Sequence, residues 1–316
     1  MKKILVIQYS QTGQLSDVVA SICRPLQESK DVEVVIETLE PVKPYPYPWK
    51  FFEFLDVFPE SVYLDPPELK PLTVSVDEDF DLVIFAYQVW FLSPSLPITA
   101  FLKSKAGKQL LENKPVVTVI ACRDMWAMAQ ETVKKMLADM NVRLLDNIVL
   151  TDQGSSLASF ITTPHWLFTG KKDAFWKFPP AGIADEEIQK ACRFGLALLE
   201  GINNDCEKNN EPILSGLKVV TADTSLIKSE KIGYRSFRIW GKLIRKAGQP
   251  GDARRKPVLV IYIVFLVLMI VTVVPVNMLL KRILAKFSRQ KQEAMKQYFE
   301  QPSGSGDERM NQFKCH

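Results

Sequence analysis

The chain has 316 residues, 47% hydrophobic and 24% charged, which fits a folded protein with a substantial core. Forty Lys and Arg against 36 Asp and Glu give a net charge of +4, and the basic excess clusters between residues 228 and 296. Such a cluster fits nucleic acid or an anionic membrane surface; its position around an apolar run selects the membrane and excludes nucleic acid. The five cysteines, Cys23, Cys122, Cys192, Cys206 and Cys315, are odd in number, widely spaced and without a CxxC pair. They read as free thiols in a reducing compartment, not as a disulfide framework or a metal site. The apolar run behind Met-Lys-Lys is too short for a secretory leader.

In chain order, the apolar runs 3–8, 32–38, 81–87, 115–121 and 143–150 are short and rich in Val and Ile, which predicts buried parallel strands. Helical patterns fall between them at 14–27, 95–105 and 126–140, and after the last strand at 185–200. This alternation predicts an α/β fold with a doubly wound, five-stranded parallel sheet over residues 1–203. Ligands of such sheets bind beyond the carboxyl ends of the strands. Two excursions interrupt the pattern: 41–72, packed with Pro and aromatics, and 153–182, rich in Ser, Thr, Phe and Trp. Each follows a strand, so both belong near the ligand end, either as a lid or packed on the domain's own surface.

Residues 204–250 read as a linker, 204–228, followed by a basic amphipathic helix. Phe237, Trp240, Leu243 and Ile244 share one helical face and Arg238, Lys242 and Arg245 another, the pattern of an interfacial helix. Residues 257–280 carry no charge and predict one transmembrane helix. Basic residues flank it on both sides (Arg254, Arg255 and Lys256; Lys281 and Arg282), so the charge rule sets no orientation. Residues 281–316 read as a basic segment and a disordered tail.

The stretch "QYSQTGQLSD", residues 8–17, takes a strand through two hydroxyls and a glycine into a helix. A helix start presents unpaired N–H groups and a partial positive charge, so Ser10, Thr12 and Gly13 there suit a phosphate. A merely capped helix is the other reading, and it needs only one hydroxyl. The spacing matches neither a Walker loop nor GxGxxG.

The Ser-x-Thr-Gly-x pattern after the first strand is similar to the phosphate loop of the flavodoxin family. That resemblance implies FMN, held by Ser10, Gln11, Thr12, Gly13, Gln14 and Leu15. Flavodoxins have Thr where this chain has Leu15, which puts one phosphate hydrogen bond in question. After the third strand, "AYQVWFLSPSLPITAFL" resembles the loop of flavodoxin-like quinone reductases that lies along the isoalloxazine ring. It implies that Gln88, Val89, Trp90 and Phe91 line the flavin. After the fourth strand, "ACRDMWAMAQE" corresponds to the loop at the flavin's pyrimidine edge. There Arg123 would stabilise negative charge on reduced flavin or an enolate, Asp124 would flank it or cap the next helix, and Trp126 would wall the site.

Together "YSQTGQL", "YPYPWKFFEFLDVFPE" and "QVWFLSPSLP" resemble the flavodoxin-like proteins known as dialkylresorcinol condensing enzymes, over residues 1 to about 250. The resemblance implies a ketosynthase partner that makes a 2,5-dialkylcyclohexane-1,3-dione, and oxidation of that lipidic dione to a dialkylresorcinol on the flavin of this chain. The chain has no ketosynthase Cys–His constellation of its own. His165, in the second excursion, reads as an acid/base or as a structural histidine. The expected protein is a membrane-anchored FMN oxidoreductase with its flavin domain in the cytoplasm. NAD(P)H-dependent quinone reduction and a non-catalytic electron-transfer or scaffold role are the alternatives.

Overall fold

A computed structural model describes residues 1–273 and 289–315. The first strands and helices are β1 (Lys2–Gln8), α1 (Gln14–Glu28), β2 (Val32–Thr38), α2 (Phe51–Asp56), α3 (Phe58–Tyr63) and β3 (Leu82–Trp90). There follow β4 (Ser93–Pro94), α4 (Leu96–Lys103), α5 (Lys105–Leu111), β5 (Pro115–Cys122), α6 (Ala127–Ala138), β6 (Arg143–Thr151) and α7 (Ser156–Thr169). The chain continues through α8 (Asp185–Lys190), α9 (Cys192–Asn203), α10 (Thr224–Ala247), α11 (Arg255–Leu268) and a last helix, α12 (Arg289–Glu300).

The sheet order is β2-β1-β3-β5-β6, all parallel, with the two-residue β4 folded back antiparallel on β3. Counting the parallel strands alone, this is the flavodoxin-like order 2-1-3-4-5, whose switch point lies between β1 and β3. Alternate residues of β1 feed opposite layers. Ile4 and Val6 join α1, α8 and α9 on one face; Leu5 and Ile7 join α4, α5 and α6 on the other. Burial on both faces is why the strands read as unbroken apolar runs.

Several sequence expectations are corrected. The helix expected at 95–105 breaks at Ser104, whose hydroxyl accepts from Gly107 N at 2.8 Å and starts α5. The helix expected at 185–200 divides at Ala191 into α8 and α9. The supposed linker threads through the interior: Ile213, Leu214, Leu217, Val219 and Val220 are buried, and Val219 O accepts from Val149 N of β6.

The tail expected to be disordered is built into the same body. Phe299 and Phe313 are buried on opposite faces of the sheet. Asp146 in β6 accepts from Ile213 N (2.8 Å), Leu214 N (3.2 Å) and Ser303 Oγ (2.8 Å), which fastens the former linker and the tail to one strand. Burial pushes the Asp146 carboxyl up to about 7. Cys192 and Cys315 form a disulfide, which overturns the reading of five free thiols; Cys23, Cys122 and Cys206 are free.

The amphipathic helix, α10, also uses its faces differently. Ile244 is fully buried, and Phe237 and Trp240 pack on Tyr262 of α11 at 6.2 and 5.6 Å. Arg238 and Arg245 lie over the Tyr63 ring, and Arg245 pairs with Asp65 at 2.8 Å. Gly241 permits this docking, because a Cβ there would sit 3.2 Å from Tyr63. The stripe left open is Ile232, Ile239 and Leu243. Of the apolar segment expected at 257–280, residues beyond 273 lie outside the described ones; the window Arg255–Thr272, with mean hydropathy 2.1, is long and apolar enough to cross a membrane. Arg255 is nonetheless buried, paired with Asp56 (3.1 Å) and Glu60 (2.8 Å), while Tyr262 stacks on Phe58 at 4.5 Å. Val260, Ile261, Val264, Val267 and Val271 point outward.

Candidate functional site

Three loops meet beyond the carboxyl ends of β1, β3 and β5. The first begins at Tyr9. Gly13 sits at the N-cap of α1 with φ 87°, a conformation that glycine adopts without strain, and nothing lies within 4 Å of where a Cβ would be. No side chain caps α1. Ser10 Oγ is buried and has no hydrogen-bond partner among the described residues. The capped-helix reading therefore fails: two hydroxyls stand at this turn, and neither closes the helix. A buried hydroxyl left unpaired costs about 1–3 kcal/mol, and a group held at this turn would supply the bond that Ser10 lacks.

Gln11 ties this loop to the next, its N–H donating to Gln88 Oε1 at 3.0 Å, while its Nε2 donates to Pro46 O at 2.7 Å. Gln14 is engaged at both amide ends by residue 183, giving to Ile183 O at 3.2 Å and taking from Ile183 N at 3.0 Å. Leu15 is fully buried in the core, so its side chain is no phosphate ligand. Of the six positions expected at the cofactor, Ser10, Gln11, Thr12 and Gly13 border the turn; Gln14 and Leu15 support it from beneath.

The second loop is a tight hairpin. Val89 pairs with Pro94 and Trp90 with Ser93, leaving Phe91 and Leu92 as the turn, with φ 50° and 61°. Positive φ at both central residues is type I′ geometry, normally supplied by Asn and Gly. Two bulky residues held there are strained, and strain of this kind gathers at functional sites. The hairpin separates the two aromatics. Trp90 stands edge-on to Tyr9, Tyr45 and Trp49, with centroids 5.1–5.9 Å apart. Phe91 turns away to Phe54 and Phe58, at 4.8 and 5.2 Å. Trp90 borders the site, Gln88 braces the first loop, Val89 packs into the core beneath, and Phe91 belongs to the α2–α3 cluster.

In the third loop Arg123 pairs with Asp124 at 3.0 Å and lies 4.0 Å over the Phe160 ring of α7. Asp124 does not cap α6. That role falls to Glu230 of α10, whose carboxylate accepts from Ala127 N (3.2 Å) and Met128 N (2.7 Å). Burial pushes Glu230 up to about 7. Trp126 packs edge-on against Phe299. Asp124, Trp126, Asp223 and Glu230 line a cavity of about 100 Å³ beside the loop.

Both excursions lie over this end of the sheet and meet each other. Trp49 N donates to Leu167 O at 2.9 Å, and Phe51 and Phe54 pack on Phe168 at 5.5 and 5.7 Å. Residues 156–169 of the second excursion form a helix with its own cap, Ser155 Oγ accepting from Ala158 N at 3.2 Å. His165 stacks on Phe175 at 4.1 Å with Nδ1 buried and unpartnered, while Arg123 meets the same helix at Phe160. The two residues expected to be catalytic thus have separate neighbours. Sequence reasoning does not single out Tyr45, Trp49 or Glu230. The Pro-aromatic density of 41–72 marked the first two only in outline, and Glu230 had no local signal.

Flavodoxins share this strand order. In comparisons with known proteins, no family model and no curated protein matches the chain. Solved structures do. A flavoprotein from Lactobacillus acidophilus in complex with FMN is 18% identical and covers 47% of this chain and 93% of its own, with a TM-score of 0.38. An archaeal flavodoxin is 13% identical, covering 64% and 99% with a TM-score of 0.37. Oxidised flavodoxin 1 from Bacillus cereus is 12% identical, covering 63% and 98% with a TM-score of 0.34. The fold assignment rests on the strand order of this chain itself.

Proposed function

We propose that the chain is a membrane-associated, FMN-dependent oxidoreductase that aromatises a 2,5-dialkylcyclohexane-1,3-dione to a dialkylresorcinol. The observation that carries the cofactor is the uncapped start of α1 beside the buried, unpartnered Ser10 hydroxyl, at the switch point of the sheet. Ser10, Thr12 and the amides after Gly13 would hold the phosphate; Trp90 and Arg123 would border the ring. Bound FMN supplies a two-electron acceptor for hydride.

The remaining chemistry belongs to the chain. A cyclic 1,3-dione readily forms an enolate, and Arg123, fixed by Asp124 and Phe160, offers the positive charge to hold it. Loss of a hydride and a proton from the ring, then tautomerisation, gives the resorcinol. Tyr9, Tyr45, Trp49 and Trp90 form an aromatic rim that orients a flat ring and keeps water off it. A separate ketosynthase partner supplies the dione. The alkyl chains explain the apolar outward faces of α10 and α11, which would seat the domain on the cytoplasmic surface of a membrane.

The test is the absorbance spectrum of protein purified in mild detergent, with identification of the flavin released on denaturation, followed by dione turnover without and with NADPH. Stoichiometric FMN and aerobic resorcinol formation without NADPH are expected. Absence of flavin after reconstitution with FMN would sink the cofactor assignment. FMN without resorcinol, but with NADPH-dependent quinone reduction, would move the chain to the reductases.

A further inference from the structure

Helix α7 runs across the carboxyl ends of the strands. Near its start Phe160 covers Arg123, in the loop after β5. Near its end Trp166 lies against Gly182, whose other close neighbour is the Gln14 side chain at the start of α1. The stretch between these anchors carries Thr162 and Thr163, and Thr162 shares its helix face with Ser159 and Trp166.

Hydroxyls inside helices usually satisfy themselves on the carbonyl one turn back. Two in α7 do so, Ser159 on Ser156 O at 3.1 Å and Thr169 on His165 O at 2.6 Å. Thr162 and Thr163 do not. Thr162 is 1% exposed, the Oγ1 atoms of both threonines are buried, and neither has a hydrogen-bond partner among the described residues. On the first loop, Ser10 Oγ is in the same condition.

We infer that Thr162 and Thr163 form the roof of the phosphate site, donating to the phosphate from the side opposite the β1–α1 turn. The inference rests on the FMN reading and extends it: the cofactor's phosphate is enclosed between two segments about 150 residues apart in sequence, and the second excursion is a cofactor-binding element. Lys171, Lys172 and Lys177 lie beyond the helix and are exposed or half-exposed, so the roof itself contributes hydroxyls, not charge.

The experiment titrates the flavin-free full chain in mild detergent with FMN and with riboflavin, which lacks the phosphate, and follows flavin fluorescence. Thr162→Val and Thr163→Val keep the side-chain shape and remove the hydroxyl. Each should weaken FMN about tenfold or more and leave riboflavin unchanged. Thr162→Ser and Thr163→Ser should restore FMN binding. Equal losses for both flavins, or no loss, would overturn the roof while the FMN reading stands. A wild-type chain that binds FMN no better than riboflavin would overturn the phosphate cradle and the roof with it.

Discussion

Two ends of this molecule bury polar groups, and they treat them in opposite ways. Where the tail docks on β6, the Asp146 carboxylate takes three donors, Glu300 takes Ala222 N and Ser305 Oγ, and Arg309 gives to Ile213 O and Ser215 O. Asn147 Nδ2, and Glu131 Oε1 beside Tyr298 of the tail, are exceptions there, without a partner among the described residues. At the carboxyl ends of the strands, Ser10, Ser93, Ser95, Thr162, Thr163 and His165 all keep a buried polar atom without a partner among the described residues. Folding tolerates few such atoms. The tail end is held mostly by bonds within the protein; the strand end keeps more donors and acceptors open, and the proposed cofactor would engage them there.

The contrast can be broken at its strong end first. Asp146→Ala strips the partner from two backbone amides and the Ser303 hydroxyl, and should cost about 3 kcal/mol in urea unfolding. An effect below about 1 kcal/mol would remove Asp146 as the clasp. The same carboxyl gives a pH signature. Its ordinary value is 3.8 and its folded value about 7, so between those limits the folded state binds the proton more tightly than the unfolded chain. Stability from this group therefore falls as pH rises from about 4 to about 7 and levels off above. Asp146→Asn should flatten that slope, leaving the share due to Glu230, which is also pushed up to about 7.

At the incomplete end the sign reverses. Ser10→Ala should leave the flavin-free protein unchanged or more stable by about 1 kcal/mol, because it deletes an unpaired hydroxyl. It should at the same time reduce the stabilisation that saturating FMN gives in a thermal melt. A destabilised flavin-free variant would show that Ser10 is bonded within the protein. The smallest effect on stability belongs to the open stripe of α10. Ile239→Glu with Leu243→Glu should change unfolding by less than about 0.5 kcal/mol each, since both side chains are exposed. The pair should still reduce sedimentation with anionic phospholipid vesicles. Unchanged sedimentation would remove this stripe from the proposed membrane contact.

How much of this was legible in the sequence follows the range of the forces involved. All five parallel strands show as apolar runs, because burial on both faces leaves a local mark. The β1–α1 turn shows because its two hydroxyls and glycine fall within four residues. Phe91 misleads, because its hairpin contains neither Gly nor Asn and the reversal is imposed by packing on Phe54 and Phe58. Asp124 misleads in the same way: a cap from Glu230, 102 residues away from Met128, has no local trace. The tail looked disordered because "QPSGSGDERMNQFKCH" is polar by composition, yet Ser303 reaches across 157 residues to Asp146. Thr162 and Thr163 were visible as residues, but only their missing bonds set them apart from Thr169.

The docked tail has one more consequence. Arg255, at the start of the apolar helix, is locked to Asp56 and Glu60, and residues 289–315, which follow the apolar segment, are packed into the sheet domain. Both described flanks of that segment are therefore fixed to one body. On a membrane, an antibody or protease that reaches residues 301–315 would report the side on which the strand-end site works. The order of the chain matters too: the apolar stretch is synthesised before Ser303, whose hydroxyl donates to Asp146 of β6.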